Sequence, residues 1–229
     1  KRSRAYYVHC TPLIYSTEIA SMKLQLFALL VVPLVTIPGT PSRPRADAAP
    51  KAVRYVVAPD GNEARYRVRE QLMHHDLPND AVGRTTGITG TLTVAPNGSI
   101  DTSSSKITID VTSLKSDQER RDGYLQHRTL ETAQYPNVVF VPTSVSGAKL
   151  PLGPAEQSFD VTGNLTVHGV TRPTVWHVKA RSSGNDVTGN GWTQFTFADV
   201  QLAQPHVPVL LSVADTIRLE YDFHLVRQP

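Results

Sequence analysis

The sequence predicts an all-β domain: an extended antiparallel β-barrel of about eight strands, with one α-helix at about residues 117–131. Three observations lead there. Apolar and polar residues alternate with period two from about residue 65 onwards, the pattern of strands with one buried and one wet face and hence of antiparallel sheet. Turn residues separate these runs, at Pro59-Asp60-Gly61-Asn62, Pro96-Asn97-Gly98, Gly184-Asn185-Asp186 and Gly189-Asn190-Gly191. A single stretch carries a helix-start signal. Closure into a barrel would hide the sheet edges, although strand counting does not separate a barrel from a sandwich.

In chain order, the first 48 residues read as material outside the domain. The first methionine is Met22, so residues 1–21, which hold the only cysteine, Cys10, read as upstream sequence. No small-residue lipobox precedes Cys10, and one cysteine excludes a disulfide-stapled scaffold. Met22-Lys23, the apolar run Leu24–Ile37 and Ala46-Asp47-Ala48 form the three parts of a secretory signal peptide over 22–48. The apolar run carries Gln25 and Pro33 and is shorter than the ~20 residues that span a bilayer. No stable transmembrane segment is therefore expected after cleavage. The expected mature domain, 49–229, has 181 residues with 17 basic and 18 acidic side chains, so the formal charge of +3 for all 229 residues becomes −1. That leaves no basic excess to attract nucleic acid.

The clearest strands follow. Arg65, Arg67 and Arg69 oppose Tyr66 and Val68; Ile88, Gly90, Leu92 and Val94 oppose three threonines; Ile107, Ile109 and Val111 oppose Thr108, Asp110 and Thr112. Further on, Phe159, Val161, Gly163, Leu165 and Val167 form one face of 159–167, and Ile217 to Leu225 alternates most cleanly. Less regular strands fit at 53–57, 138–145, 174–180 and 192–198. Ser116-Asp117-Gln118-Glu119 reads as a capping box, with Ser116 at N-cap and Glu119 at N3. Tyr124, Leu125 and Leu130 are then available to pack, and Gly123 weakens the helix by up to ~1 kcal/mol.

An eight-stranded barrel is either filled by side chains or hollow enough for one small ligand. The inward aromatics Tyr66, Phe140, Phe159, Trp176, Tyr221 and Phe223 are candidate cavity walls, with Val68, Leu92, Ile109 and Leu165 beside them. Gly90 and Gly163 face inward, where a missing side chain leaves room or permits a bend. Catalytic machinery is sparse: no G-x-S-x-G, H-E-x-x-H or P-loop is present. The adjacent His74 and His75 suit a solvated loop. His168 and His177 flank a turn at Gly169–Pro173 and could meet across a hairpin, but two histidines are too few for a metal site, and no metal or cofactor is expected.

Several segments together resemble the YceI-like family of polyisoprenoid-binding periplasmic proteins: RYRVREQL (65–72), AVGRTTGITGTLTV (81–94), the run from Ile107 to Phe140 containing SDQERRD, and FDVTGNLTVHGVTRPTVW (159–176). The resemblance covers roughly residues 52–227. It implies a lipocalin-like barrel whose apolar tunnel holds an isoprenoid chain, the inward residues above being its wall, with His168 and Arg172 candidates for the ligand head group. The chain departs from the family pattern at 193–213 (TQFTFADVQLAQPHVPVLLSV), which bears on the shape of one tunnel mouth.

The reading that follows is an exported, secreted or periplasmic to cell-surface bacterial protein, non-enzymatic, binding a polyprenyl lipid or a quinone tail. A homodimer is compatible with it. The alternatives are a hydrolase or isomerase using His168 or His177 as base, which requires an inward histidine beside a carboxylate, and a solidly packed structural barrel.

Overall fold

The computed structural model describes residues 51–73 and 76–228. The expected upstream and signal segments, Cys10, His74 and His75 lie outside the described residues.

Ten strands form one antiparallel sheet: β1 (Val53–Val57), β2 (Glu63–Leu72), β3 (Asn79–Thr85), β4 (Ile88–Val94), β5 (Lys106–Asp110), β6 (Asn137–Ser146), β7 (Gln157–Val167), β8 (Val170–Ser183), β9 (Asp186–Thr196) and β10 (Leu210–Arg227). The 18 residues of β10 close it. One edge of β10 pairs with β9, while the other pairs with β2 and then, from Leu225 to Arg227, with β1. β1 and β2 are thus one barrel strand broken at 58–62, and β3 and β4 another broken at Thr86–Gly87. Counted this way, the barrel has the eight strands expected.

The corner between β1 and β2 is held by Asn62. Its amide donates to the carbonyls of Ala58, Asp60 and His224, and its Oδ1 accepts from the Tyr221 hydroxyl and the His224 backbone N–H. Buried at 8 % exposure, Asn62 satisfies backbone groups that the strand break would otherwise orphan.

Local chemistry moved several boundaries. The helix α1 spans Glu119–Tyr124 and continues as a π-helical turn, Leu125–Thr129. The capping box is not formed: Gln118 is the N-cap, and the Ser116 N–H and hydroxyl both donate to Asp122 Oδ1, at 2.9 and 2.7 Å. A buried aspartate one turn further on outcompeted Glu119 for this role. Strand β3 was not expected as a separate element, because its inward face is Ala81, Gly83 and Thr85. The reason lies across the ladder: a Cβ on Gly83 would sit 2.3 Å from the ring of Tyr66, its register partner.

Glycines inside other strands act likewise. Gly189 and Gly191 lie within β9 rather than in the expected turn, and a Cβ on Gly189 would stand 2.2 Å from the Lys179 carbonyl oxygen and 2.7 Å from Phe223. Gly163 does not open a cavity; it lies opposite a register shift in β6, between Pro142 and Ser144. It seats Phe140, whose ring would lie 2.6 Å from an added Cβ, with the Val141 carbonyl oxygen at 2.5 Å. Gly90 is equally enclosed, with the Lys106 carbonyl oxygen 2.3 Å from the same position.

Two hydrophobic clusters divide the interior. One contains Ile107, Ile109, Val138, Leu165, Phe195, Phe197, Val200 and Ile217, with Leu165 and Val200 completely buried. The other, around Trp176, Val178, Ala180, Val187 and Leu225, draws in Leu92, Phe140, Phe159, Tyr221 and Phe223. Outside, the three arginines of β2 face acids: Arg65 bonds Glu63, Glu220 and Asp222, Arg67 bonds Glu220 and Asp80, and Arg69 bonds Asp80.

Two tests follow from this packing. Gly163→Ala should lower stability by about 1–3 kcal/mol, since neither a carbonyl nor a packed ring can withdraw cheaply. The measurement is the denaturation midpoint at unchanged m-value, and an unchanged midpoint contradicts the seating. His224 bonds Asp186 Oδ1 at 2.7 Å through Nε2, which raises its pKa above the ordinary imidazole value. This contribution is complete below the unfolded pKa of about 6.5 and is lost as pH rises through the raised folded value. The fall in stability between pH 6 and 8 should shrink in His224→Gln.

Candidate ligand-binding cavity

Between the two clusters and one end of the barrel lies a cavity of about 600 Å³. It runs along β2 from Ala64 to Leu72, on the order of 27 Å at ~3.4 Å per residue. Val213, Ile217, Leu219 and Tyr221 of β10 line it beside β2, and Ile109, Val111, Val138 and Val167 of β5 to β7 and the loop after β5 line the far side. The helix and its π turn cover it with Tyr124, Leu125, Thr129 and Leu130. Period-two alternation supplies the apolar wall, and the i, i+4 spacing of Leu125 and Thr129 puts both on the face of the turn that covers it.

The segment where the sequence departs from the family pattern completes the wall. Phe195, Phe197, Leu202, Pro205, Val207, Val209 and Leu210 all border the cavity. The Met73 backbone N–H donates to the Val209 carbonyl at 2.8 Å, tying this segment to the end of β2. Met73 and Val209 are 43 % and 59 % exposed, and Gln118 and Arg120 are exposed too, so the opening lies among these four.

Polar groups are few and mostly committed. Buried Glu70 accepts from Arg121 at 2.6 Å, and Arg121 also pairs with Asp117. Glu220 is partly desolvated, which alone would raise its pKa, but hydrogen bonds from Arg67, Arg218 and Arg65 hold it below the ordinary carboxylate value. Burial pushes the Tyr66 and Tyr221 phenols upward, so both stay neutral. Tyr221 donates to Asn62 at 2.8 Å, while the Trp176 indole N–H is buried without a partner among the described residues.

The expected tunnel wall therefore divides. Tyr66, Val68, Ile109, Trp176 and Tyr221 line the cavity. Leu92, Phe140, Phe159 and Phe223 do not; they pack in the second cluster, where Phe140 meets Trp176 at 5.7 Å between ring centroids. Leu165 is wholly buried in the first cluster, and Gly163 is closed over by Phe140. Trp176 is the partition between the hollow and the packed halves. Sequence reasoning missed Ala64, Ala81 and Thr85, whose small side chains carry no signal, and Phe197 and Leu202, which fall where alternation lapses.

His168 and Arg172 stand away from the cavity lining. His168 occupies a two-residue turn with Gly169, both at positive φ (49° and 77°), so β8 resumes at Val170 and the expected 169–173 turn is shorter. Its Nε2 lies 2.8 Å from Glu131, and its ring packs on Tyr135. Arg172 pairs with Asp199 at 2.8 Å, and the Thr196 backbone N–H together with Arg172 holds that carboxyl at about 2. His177 lies on the outer face against Asp160 and Trp192, apart from His168. Neither histidine borders the cavity, which removes the ground for an interior histidine base. Among the described residues no three His, Cys, Asp or Glu side chains converge as metal ligands, and no helix is long and apolar enough to cross a membrane.

A closed antiparallel barrel with an apolar, one-ended cavity beneath a short helix defines a lipocalin-like architecture. The YceI-like domain model matches residues 55–225, and the chain belongs to that family. A UPF0312 protein of Pseudomonas putida is 35 % identical over 88 residues, covering 37 % of this chain and 43 % of the relative. The protein YceI of Escherichia coli O17:K52:H18 is 34 % identical over 84 residues, covering 36 % and 40 %. The matched stretch thus spans about two-fifths of these curated relatives. Among solved structures, a polyisoprenoid binding domain from Saccharophagus degradans, implicated in plant cell wall breakdown, superposes with a TM-score of 0.60 at 16 % identity, over 76 % of this chain and 98 % of that one. Burkholderia cenocepacia BcnA gives 0.55 at 19 % identity, over 74 % and 98 %. At these identities the likeness establishes the fold.

The Glu70–Arg121 pair on the cavity wall can be tested directly. Arg121→Ala leaves a buried carboxylate unpaired and should cost about 3–5 kcal/mol, whereas Arg121→Met with Glu70→Leu should restore most of it. Equal losses in both variants by denaturant titration would contradict a buried, mutually dependent pair.

Proposed function

We propose that the chain is an exported, non-enzymatic lipid-binding protein of a bacterial periplasm or cell surface, which sequesters or carries an isoprenoid chain in the cavity. The observation that carries this reading is the cavity itself, long and narrow, walled by aliphatic and aromatic side chains and open at one end. Burial of a hydrocarbon chain there would contribute roughly 25 cal/mol per Å² of apolar surface before ordering costs, enough for binding without any catalytic group. The polyisoprenoid ligand of the Saccharophagus degradans neighbour supports the ligand class, and the signal-peptide pattern over 22–48 supports export.

The ligand body is neutral in this reading. Of the three arginines that line the cavity, Arg65 and Arg121 already bond carboxylates and Arg120 is exposed at the opening, so an anionic group buried deeper would find no free partner. A polyprenyl lipid or quinone tail fits, with its head near Gln118 and Arg120 at the opening rather than at His168 and Arg172.

Native mass spectrometry of the purified protein, followed by lipid extraction, tests the proposal. A co-purified polyprenyl or prenylquinone mass is expected, and Val68→Trp, which fills the wall midway along the cavity, should reduce its occupancy severalfold with little change in melting temperature. Protein that remains ligand-free after incubation with polyprenol and with prenylquinone would overturn the carrier reading.

A further inference from the structure

Among the described residues six large apolar side chains are exposed, and four of them gather where the cavity opens: Met73 (43 %), Leu77 (76 %), Val209 (59 %) and Leu211 (61 %). Met73 ends β2 and Leu77 lies in the β2–β3 connection. Val209 and Leu211 flank Leu210, the register partner of Leu72, and Met73 is hydrogen-bonded to Val209. The sheet therefore brings all four to one end. The other two, Leu150 and Val175, lie in the β6–β7 connection and on β8.

We infer that this apolar lip is a docking surface for a lipid bilayer, on which the protein loads or unloads its ligand. The inference rests on the lipid-binding reading above. A stable protein–protein interface buries ~800 Å² and 20–30 residues on each side. Four apolar side chains at a strand end and a hairpin connection fall well short of that, but suit shallow insertion among acyl chains. Two of them, Met73 and Val209, are themselves part of the cavity wall, so apolar surface is continuous from the lip into the interior. A hydrocarbon chain leaving a bilayer at the lip would enter the cavity without crossing water, and the cost of exposing it would vanish from the transfer barrier.

The charges around the lip are few and of both signs. Arg69 and Arg67 are tied to Asp80, while exposed Asp76 beside Leu77 and exposed Arg120 at the opening are of opposite sign, so the attachment is carried chiefly by apolar contact and depends only weakly on salt. Leu77 and Leu211 do not line the cavity, so changing them alters the lip and leaves the ligand's wall intact.

The test is co-flotation of the full chain with phosphatidylcholine vesicles at low and high salt, for wild type, Leu77→Ser, and Leu77→Ser with Leu211→Ser. Wild type should float at both salt concentrations. Partition should fall by about tenfold for each side chain removed, the loss expected for about 1.5 kcal/mol of apolar burial. The rate of polyprenol transfer from vesicles should fall with it, while equilibrium binding of detergent-solubilised polyprenol stays unchanged. The single variant keeps the comparison interpretable if the double one does not fold. Wild type that stays with the soluble fraction, or variants that float equally, overturn the docking surface; so does a wild-type dimer that the substitutions dissociate without any vesicle binding. Failure of every protein to bind both solubilised polyprenol and solubilised prenylquinone overturns the lipid-carrier reading instead, and this separates the two conclusions.

Discussion

Closure of the sheet by β10 is the constraint on which the rest depends. One continuous strand must satisfy β9 along one edge and both β2 and β1 along the other. β1 and β2 lie along that edge in different registers, and at the break between them Asn62 supplies hydrogen bonds to the backbone. The first half of β10 faces the hollow and the second half the packed core. A single strand thus sets where the barrel is open and where it is solid.

Within that frame, rings lie over glycines of neighbouring strands. Tyr66 covers Gly83, Phe140 covers Gly163 and Phe223 reaches Gly189. A ring laid over the adjacent strand occupies the space that a side chain there would need, so one of each pair is reduced to hydrogen. Aromatic residues thereby stop the cavity at Trp176 without bursting the wall.

This arrangement explains what the sequence made legible. Strands with strong alternation, such as 159–167 and 217–225, were plain because both faces speak: apolar inside, charged or hydroxylic outside. β3 stayed hidden because its inner face had given up its bulk to Tyr66, and Gly189-Asn190-Gly191 imitated a turn for a similar reason. Five of the eleven positions expected to form a tunnel wall line the cavity, each an inward aromatic or aliphatic residue. The division into lining and packing residues was not visible, since Phe140 and Trp176 have the same pattern and differ only in how far along the barrel they sit. The Ser116–Glu119 signature misled because Asp122, buried at 6 % exposure, took the same donors.

The hollow half also makes the fold a compressible one. Water packs poorly against an apolar wall around some 600 Å³, so unfolding gives back volume and hydrostatic pressure favours it more than it would for a solid barrel of this length. Filling the cavity with hydrocarbon removes that difference. Occupancy is therefore written into the volume of the molecule as well as into its binding energy, and an empty and a loaded barrel are two materials with one topology.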